Sequence, residues 1–250
     1  MEELTALAEQ QAELSGLLTR LGGDGWARPS RCDGWTAADV VLHLAQTNEM
    51  AVASAEGRFA EYLAEQAKRL PPVSSVDDSA DAMVMLERGA PVADLHVRWE
   101  RGAKELHAAL AAADPHLRVT WVAGQLTIRT LTTTRLAETW IHTGDVAYAL
   151  GEAPVSSERL RPIARLAWRT LPYAFAGAGR ELAGPVAFEL TGPGGEAWNF
   201  QPEEDALTTV RGDTLELCLV AARRLSPGQT GLRGEGPDAA AVLELVRTYA

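Results

Sequence analysis

The segment from Thr130 to Leu150 carries the tightest constraint in the chain. Steps of three and four residues return to one face of an α-helix, and here they gather Leu131, Arg135, Glu138, His142, Asp145 and Ala149 on one stripe. Gly151 closes the periodic segment. A stripe that has to pack against neighbouring helices therefore carries four polar or ionisable groups, Arg135, Glu138, His142 and Asp145. Burying such groups without partners is strongly unfavourable, so the fold must supply partners or an ion. Glu138 and His142 stand at i and i+4 and can converge on one ion, as the histidines of an HExxH helix do.

The same periodicity organises the rest of the first half. Leu4, Leu7, Ala8, Leu14, Leu17, Leu18 and Leu21 recur at helical spacing, and Gly22 and Gly23 stop that helix. Gly, Pro and Ser mark a loop from Gly25 to Trp35. Thr36-Ala-Ala-Asp39 reads as a capping box, which predicts a second helix from Thr36 to near Ala55. Leu70-Pro71-Pro72-Val-Ser-Ser is a break, and Asp94 to Ala112 is a third helix ended by Asp114-Pro115. Thr120 to Thr127 is β-rich but too short to assign. Four substantial helices before residue 152 predict an N-terminal all-α four-helix bundle spanning 1–152.

After Pro154 the texture changes, and residues 153–250 read as a C-terminal α+β domain. One helix is expected from Ser157 to Ala176, then two strands, Pro185 to Thr191 and Glu196 to Phe200, joined by a Gly-rich turn. Thr208 to Val210 and Thr230 to Arg233 add candidate strands, and Asp213 to Arg224 and Pro237 to Tyr249 read as helices.

His43 lies in the second helix, flanked on its face by Val40, Leu44 and Thr47, so it points inward as well. Two imidazoles and a carboxylate form a donor set suited to Zn²⁺ and also to Ni²⁺, Fe²⁺ or Mn²⁺. Three protein ligands leave a position open, as catalytic sites do. On spacing alone the alternative stands beside this reading: His43 a lone core histidine, Glu138 and His142 a structural pair.

Charge and cysteine usage narrow the function classes. The 23 basic residues against 34 acidic ones give a net charge of −11, which disfavours nonspecific binding to nucleic acid or anionic membranes. The cysteines, Cys32 and Cys218, form no CxxC pair, and no signal-like segment or long apolar run is present. A reducing cytoplasm fits that pattern. Cys32 reads as a packing residue, because no histidine lies near it in sequence to lower its pKa.

The pattern Trp26-x-x-Pro29-Ser30-x-Cys32-x-Gly34-Trp35-Thr36-x-x-Asp39-x-x-x-His43-Leu44, followed by Glu138-Thr-Trp-Ile-His142-Thr-Gly-Asp145-Val, resembles the mycothiol-dependent maleylpyruvate isomerase family. That family lies within the DinB-like superfamily of metal-binding four-helix bundles. The resemblance extends to a C-terminal domain of sterol-carrier character. It implies that His43, Glu138 and His142 are the three zinc ligands and that mycothiol is a cofactor. Asp145, one turn beyond His142, would orient an imidazole from behind, or alternatively pair with Arg135. An arginine that grips a substrate carboxylate matches Arg224 when counted from Gly212, although the glycine usual before it is Arg223 here. Without that role, the two arginines would simply favour a helix C-terminus. Trp35, Trp121 and Trp140 are candidates for a pocket wall or for plain core.

The chemistry so implied is a metal-held thiolate that adds to an activated double bond of a small unsaturated acid, or that transfers once to an electrophile. Bond rotation and elimination complete the isomerisation. The bundle's metal and the arginine of the second domain would then share a cleft. Two further readings are open at this point: a zinc enzyme on the same scaffold that uses no thiol, and a non-catalytic small-molecule binder.

Overall fold

In the computed structural model, residues 1–72, 75–122 and 124–248 are described. The chain divides into two compact units, Met1–Pro154 and Val155–Ala250.

The first unit is built on long helices. α1 (Glu2–Arg20) buries Leu7, Leu14, Leu17 and Leu18, and the chain leaves it through Gly22, whose φ of 61° is a left-handed value favourable only for glycine. A short turn of helix, α2 (Gly22–Gly25), leads into the loop that ends at Thr36. There the capping box forms: the Thr36 hydroxyl accepts from the Asp39 amide at 3.3 Å, and Asp39 Oδ2 accepts from the Thr36 amide at 2.8 Å. This pair satisfies two otherwise free amides and sets the register of α3 (Ala37–Ala55).

Two helices then follow that periodicity did not announce, α4 (Phe59–Ala67) and α5 (Val76–Glu87). Each buries too few side chains to carry an apolar stripe: Phe59 in α4, Met83 and Val84 in α5. α5 is identified better by its cap, where Ser75 Oγ accepts from the Asp78 amide at 3.0 Å. α6 (Val92–Ala112) inserts Leu95, Trp99, Ala103, Leu106 and Leu110 into the core, steps of three and four along one face. The unassigned β-rich stretch is an antiparallel hairpin of β1 (Arg118–Trp121) and β2 (Gly124–Thr127). Thr127 then caps α7 (Ile128–Ala149) by accepting from the Thr130 amide at 3.2 Å.

α3 packs on α6 and α7, and α1 packs on the same two, so the four long helices close a ring of neighbours. α7 is buried on nearly all sides by α1, α3 and the hairpin, so its polar residues must find their partners within the unit.

In the second unit the single helix expected over 157–176 is two, α8 (Leu160–Arg169) and α9 (Leu171–Gly177). Pro172 cannot donate an amide in a helix interior, and it sits instead in the first turn of the new helix. A four-stranded sheet runs in the order β4 (Ala197–Phe200), β3 (Val186–Thr191), β5 (Thr208–Asp213), β6 (Arg233–Glu235). β3 pairs antiparallel with β4, and parallel with β5. β5 pairs antiparallel with β6. α10 (Thr214–Ala221) is shorter than the Asp213–Arg224 expected, with Asp213 as its cap. The last strand begins at Arg233 rather than Thr230, because the Ser226–Thr230 segment is taken by a 3₁₀ turn. α11 (Ala239–Leu245) starts two residues past Pro237, and Tyr249, the expected end of that helix, lies outside the described residues. Among the described residues no helix is long and apolar enough to cross a membrane.

Candidate metal centre

α3 presents His43, and α7, packed directly against it, presents Glu138 and His142. His43 Nε2 lies 2.9 Å from Glu138 Oε1. The His43 and His142 rings meet edge to face, with centroids 5.1 Å apart and planes at 76°. One donor atom from each of the three residues lies within 4.8 Å of the others.

Two of these three residues, Glu138 and His142, are held from behind. Glu138 Oε2 accepts from Arg135 Nη1. His142 Nδ1 bonds Asp145 Oδ2 at 2.9 Å, which leaves Nε2 as the available ring nitrogen. Cys32 Sγ donates to the same Asp145 oxygen at 3.3 Å. Cys32, His142 and Asp145 thus form a second compact group of donor atoms within 4.8 Å of one another. Their atoms are already joined by hydrogen bonds, as expected of a relay that orients His142. The first group also contains a hydrogen-bonded pair, His43 and Glu138, and its two imidazoles and one carboxylate are a donor set that fits a borderline dication.

Electrostatics follow the same division. Burial raises the Glu138 carboxyl's pKa, but the Arg135 charge and the hydrogen bond to His43 outweigh it and hold the group well below the usual carboxylate range. Burial pushes His142 down, yet its bonds to Asp145 and Cys32 prevail and raise it to about 9. For His43 the burial effect wins and its pKa is lowered despite Glu138. Arg135 is lowered by burial, against the pull of Glu138.

The alternative pairing of Asp145 with Arg135 does not form. Ten residues of helix separate them, a rise of about 15 Å, so each finds a nearer partner. Of the tryptophans, Trp35 approaches the centre: its ring lies 5.2 Å from His43, and its indole N–H is fixed by Asp81 of α5 at 2.7 Å. Trp121 packs on Phe59 at 5.7 Å, and Trp140 is a buried core residue. Cys32, read as packing, belongs to the centre's supporting network. Its place in the loop before the capping box was the available sign, but sequence distance concealed the contact with Asp145.

In the second unit, Arg223, two residues past the end of α10, has φ 60° and is the one non-glycine with a positive φ among the described residues. Arg223 donates to Glu244 O at 2.6 Å and Leu245 O at 3.4 Å, while half-buried Arg224 donates to Ala222 O at 3.0 Å.

Residues 7–147 match the sequence model described as the mycothiol maleylpyruvate isomerase N-terminal domain. The chain belongs to this family. The matched span contains His43, Glu138 and His142 and ends inside α7. Relatives of this mycothiol maleylpyruvate isomerase family member include an uncharacterized protein of Mycobacterium tuberculosis, found in two strains. It is 32% identical over 247 residues, covering 98% of this chain and 93% of the relative. Among solved structures, a mycothiol-dependent maleylpyruvate isomerase superposes with a TM-score of 0.64 at 18% identity, covering 95% of each chain. A histidine-to-alanine mutant of such an isomerase gives 0.62 at 19% identity with the same coverage. At these identities the likeness concerns the fold.

Proposed function

We propose that the protein is a metal-dependent, mycothiol-using enzyme, an isomerase or S-transferase that acts on a small electrophilic or unsaturated acid. His43, Glu138 and His142 would hold the ion, Zn²⁺ in first place, within a DinB-like bundle that precedes a sterol-carrier-like domain. The observation that carries the reading is the convergence of these three donors, with Glu138 and His142 braced from behind by Arg135 and Asp145. Family membership supports the choice of mycothiol as the thiol.

When bound, the dication supplies Lewis acidity that keeps a coordinated thiol ionised at neutral pH. The chain's residues have separable roles. Asp145 accepts a hydrogen bond from His142 Nδ1–H and so selects the tautomer that offers Nε2 outward. Cys32 steadies that carboxylate by donating to the same oxygen. Glu138 lends one oxygen and keeps the other on Arg135. Trp35 covers His43 and limits water at that edge.

Arg224 is assigned to the substrate carboxylate. In support, the family's Gly-Arg pattern needs glycine where the backbone is left-handed, and Arg223 occupies that position with φ 60°. Arg224 then aligns with the arginine that follows the glycine.

Elemental analysis of wild type and the His43→Ala, His142→Ala double variant, with mycothiol-dependent turnover of a cis-enedioate and electrophile panel, tests the reading. One divalent ion per chain in the wild type only, and thiol-dependent turnover, are expected. Full metal occupancy in the double variant would rule out the site, and turnover independent of thiol would rule out the cofactor.

A further inference from the structure

Arg135 is the largest fully buried side chain among the described residues. Its Nη1 meets Glu138 Oε2, its Nη2 donates to Thr47 Oγ1 at 3.0 Å and Asn48 Oδ1 at 3.1 Å, and its buried Nε has no hydrogen-bond partner. Stability does not explain this arrangement. A buried ion pair offsets its desolvation only with complete hydrogen bonding, and here an N–H is left over. The neighbouring Leu131 and Leu136 show that α7 accommodates apolar side chains at this depth.

What the arginine does provide is a fixed positive charge directly behind a ligand. A dication in the centre and Arg135 together carry three positive charges, against two negative ones from Glu138 and Asp145. With a neutral molecule in the open position the partly buried centre keeps one net positive charge, whereas an anion brings it to zero. Remove Arg135 and the balance inverts: the neutral ligand gives zero and the anion leaves a net negative charge. At a partly buried site, where charges are screened less than in water, that difference favours the anion while Arg135 is present.

We infer that Arg135 sets the anion preference of the open coordination position and so selects an ionised thiol over a neutral ligand. The inference rests on the metal reading of His43, Glu138 and His142. It is tested on the full chain loaded with Co²⁺, with the visible spectrum followed during titration with thiocyanate as the anionic probe and imidazole as the neutral one. Arg135→Met is expected to keep its cobalt, to lose no thermal stability in the loaded form, and to bind thiocyanate at least ~10-fold more weakly with imidazole binding undiminished. Arg135→Lys, which retains the charge, should stay within ~3-fold of wild type for thiocyanate. A merely structural arginine would give the opposite pattern, a lower melting temperature with unchanged probe affinities, and that result overturns the proposal. Arg135→Gln is the second neutral variant; loss of the fold in both neutral variants likewise makes Arg135 structural and overturns it. If the wild type takes up no cobalt that the double histidine variant loses, the metal reading itself fails and the proposal falls with it.

Discussion

Replacing Asp145 by Asn should change metal affinity in a way that depends on pH, and the sign can be worked from the geometry. Asp145 is fully buried and accepts from both His142 and Cys32, which holds the His142 imidazolium up to about 9. A metal entering the apo protein near pH 7 must therefore displace that proton, two pH units below its pKa, an opposition of roughly 3 kcal/mol. Wild-type affinity should rise about tenfold per pH unit until about pH 9 and then level off. The side-chain amide introduced by Asp145→Asn keeps an oxygen that can accept from Nδ1 but loses the charge, so orientation and ligand basicity suffer at the lower end of the range for such partners, about tenfold. Near neutrality the relief from proton competition cancels or exceeds this loss, whereas above about pH 9 it stands unopposed. Chelator competition with Zn²⁺ across this range measures both effects. A deficit in Asp145→Asn that is constant with pH, or an affinity equal to wild type at about pH 10, would refute the reasoning.

The metal-free protein carries a related signature. His142 has its folded pKa raised from 6.5 to about 9, so its contribution to stability is complete below 6.5 and is lost as pH rises through about 9; urea midpoints of demetallated protein should fall over that window. Arg224→Ala should retain full metal content yet lose ~2–4 kcal/mol of transition-state stabilisation, read as kcat/KM, and full activity in this variant would sink its assignment. Arg223→Gly should leave turnover unchanged, because relief of the left-handed backbone offsets its contacts to Glu244 and Leu245, and a large drop in activity there would move the substrate arginine back one residue. Thr36→Ala removes the capping-box hydroxyl and should destabilise α3 by about 1 kcal/mol in urea denaturation, with Thr36→Ser near wild type.

Local signals were legible wherever one short stretch of chain decides the outcome. The α1 and α6 helices follow apolar residues at steps of three and four, α7 follows a stripe of the same spacing that carries polar groups, and the Thr36-Asp39 cap that starts α3 and the β3–β4 turn depend on neighbours a few residues apart. The pairing of Glu138 with His142 is of this kind, since i and i+4 share a face in any α-helix. α4 and α5 bury too little to be periodic, and Pro172 in the first turn of α9 is the local sign that divides 157–176 into two helices. What surrounds His43, Glu138 and His142 was settled by packing alone. Whether Arg135 turns to Glu138 or Asp145, whether Cys32 reaches Asp145 across more than a hundred residues of sequence, and whether Trp35 rather than Trp121 or Trp140 covers His43 all depend on how α3 and the loop before it lie against α7. The spacing along α7 determined that polar groups would be buried together, because periodicity is a property of a single helix; which group satisfies which was determined by the tertiary structure, because hydrogen bonds between elements exist only once those elements have docked.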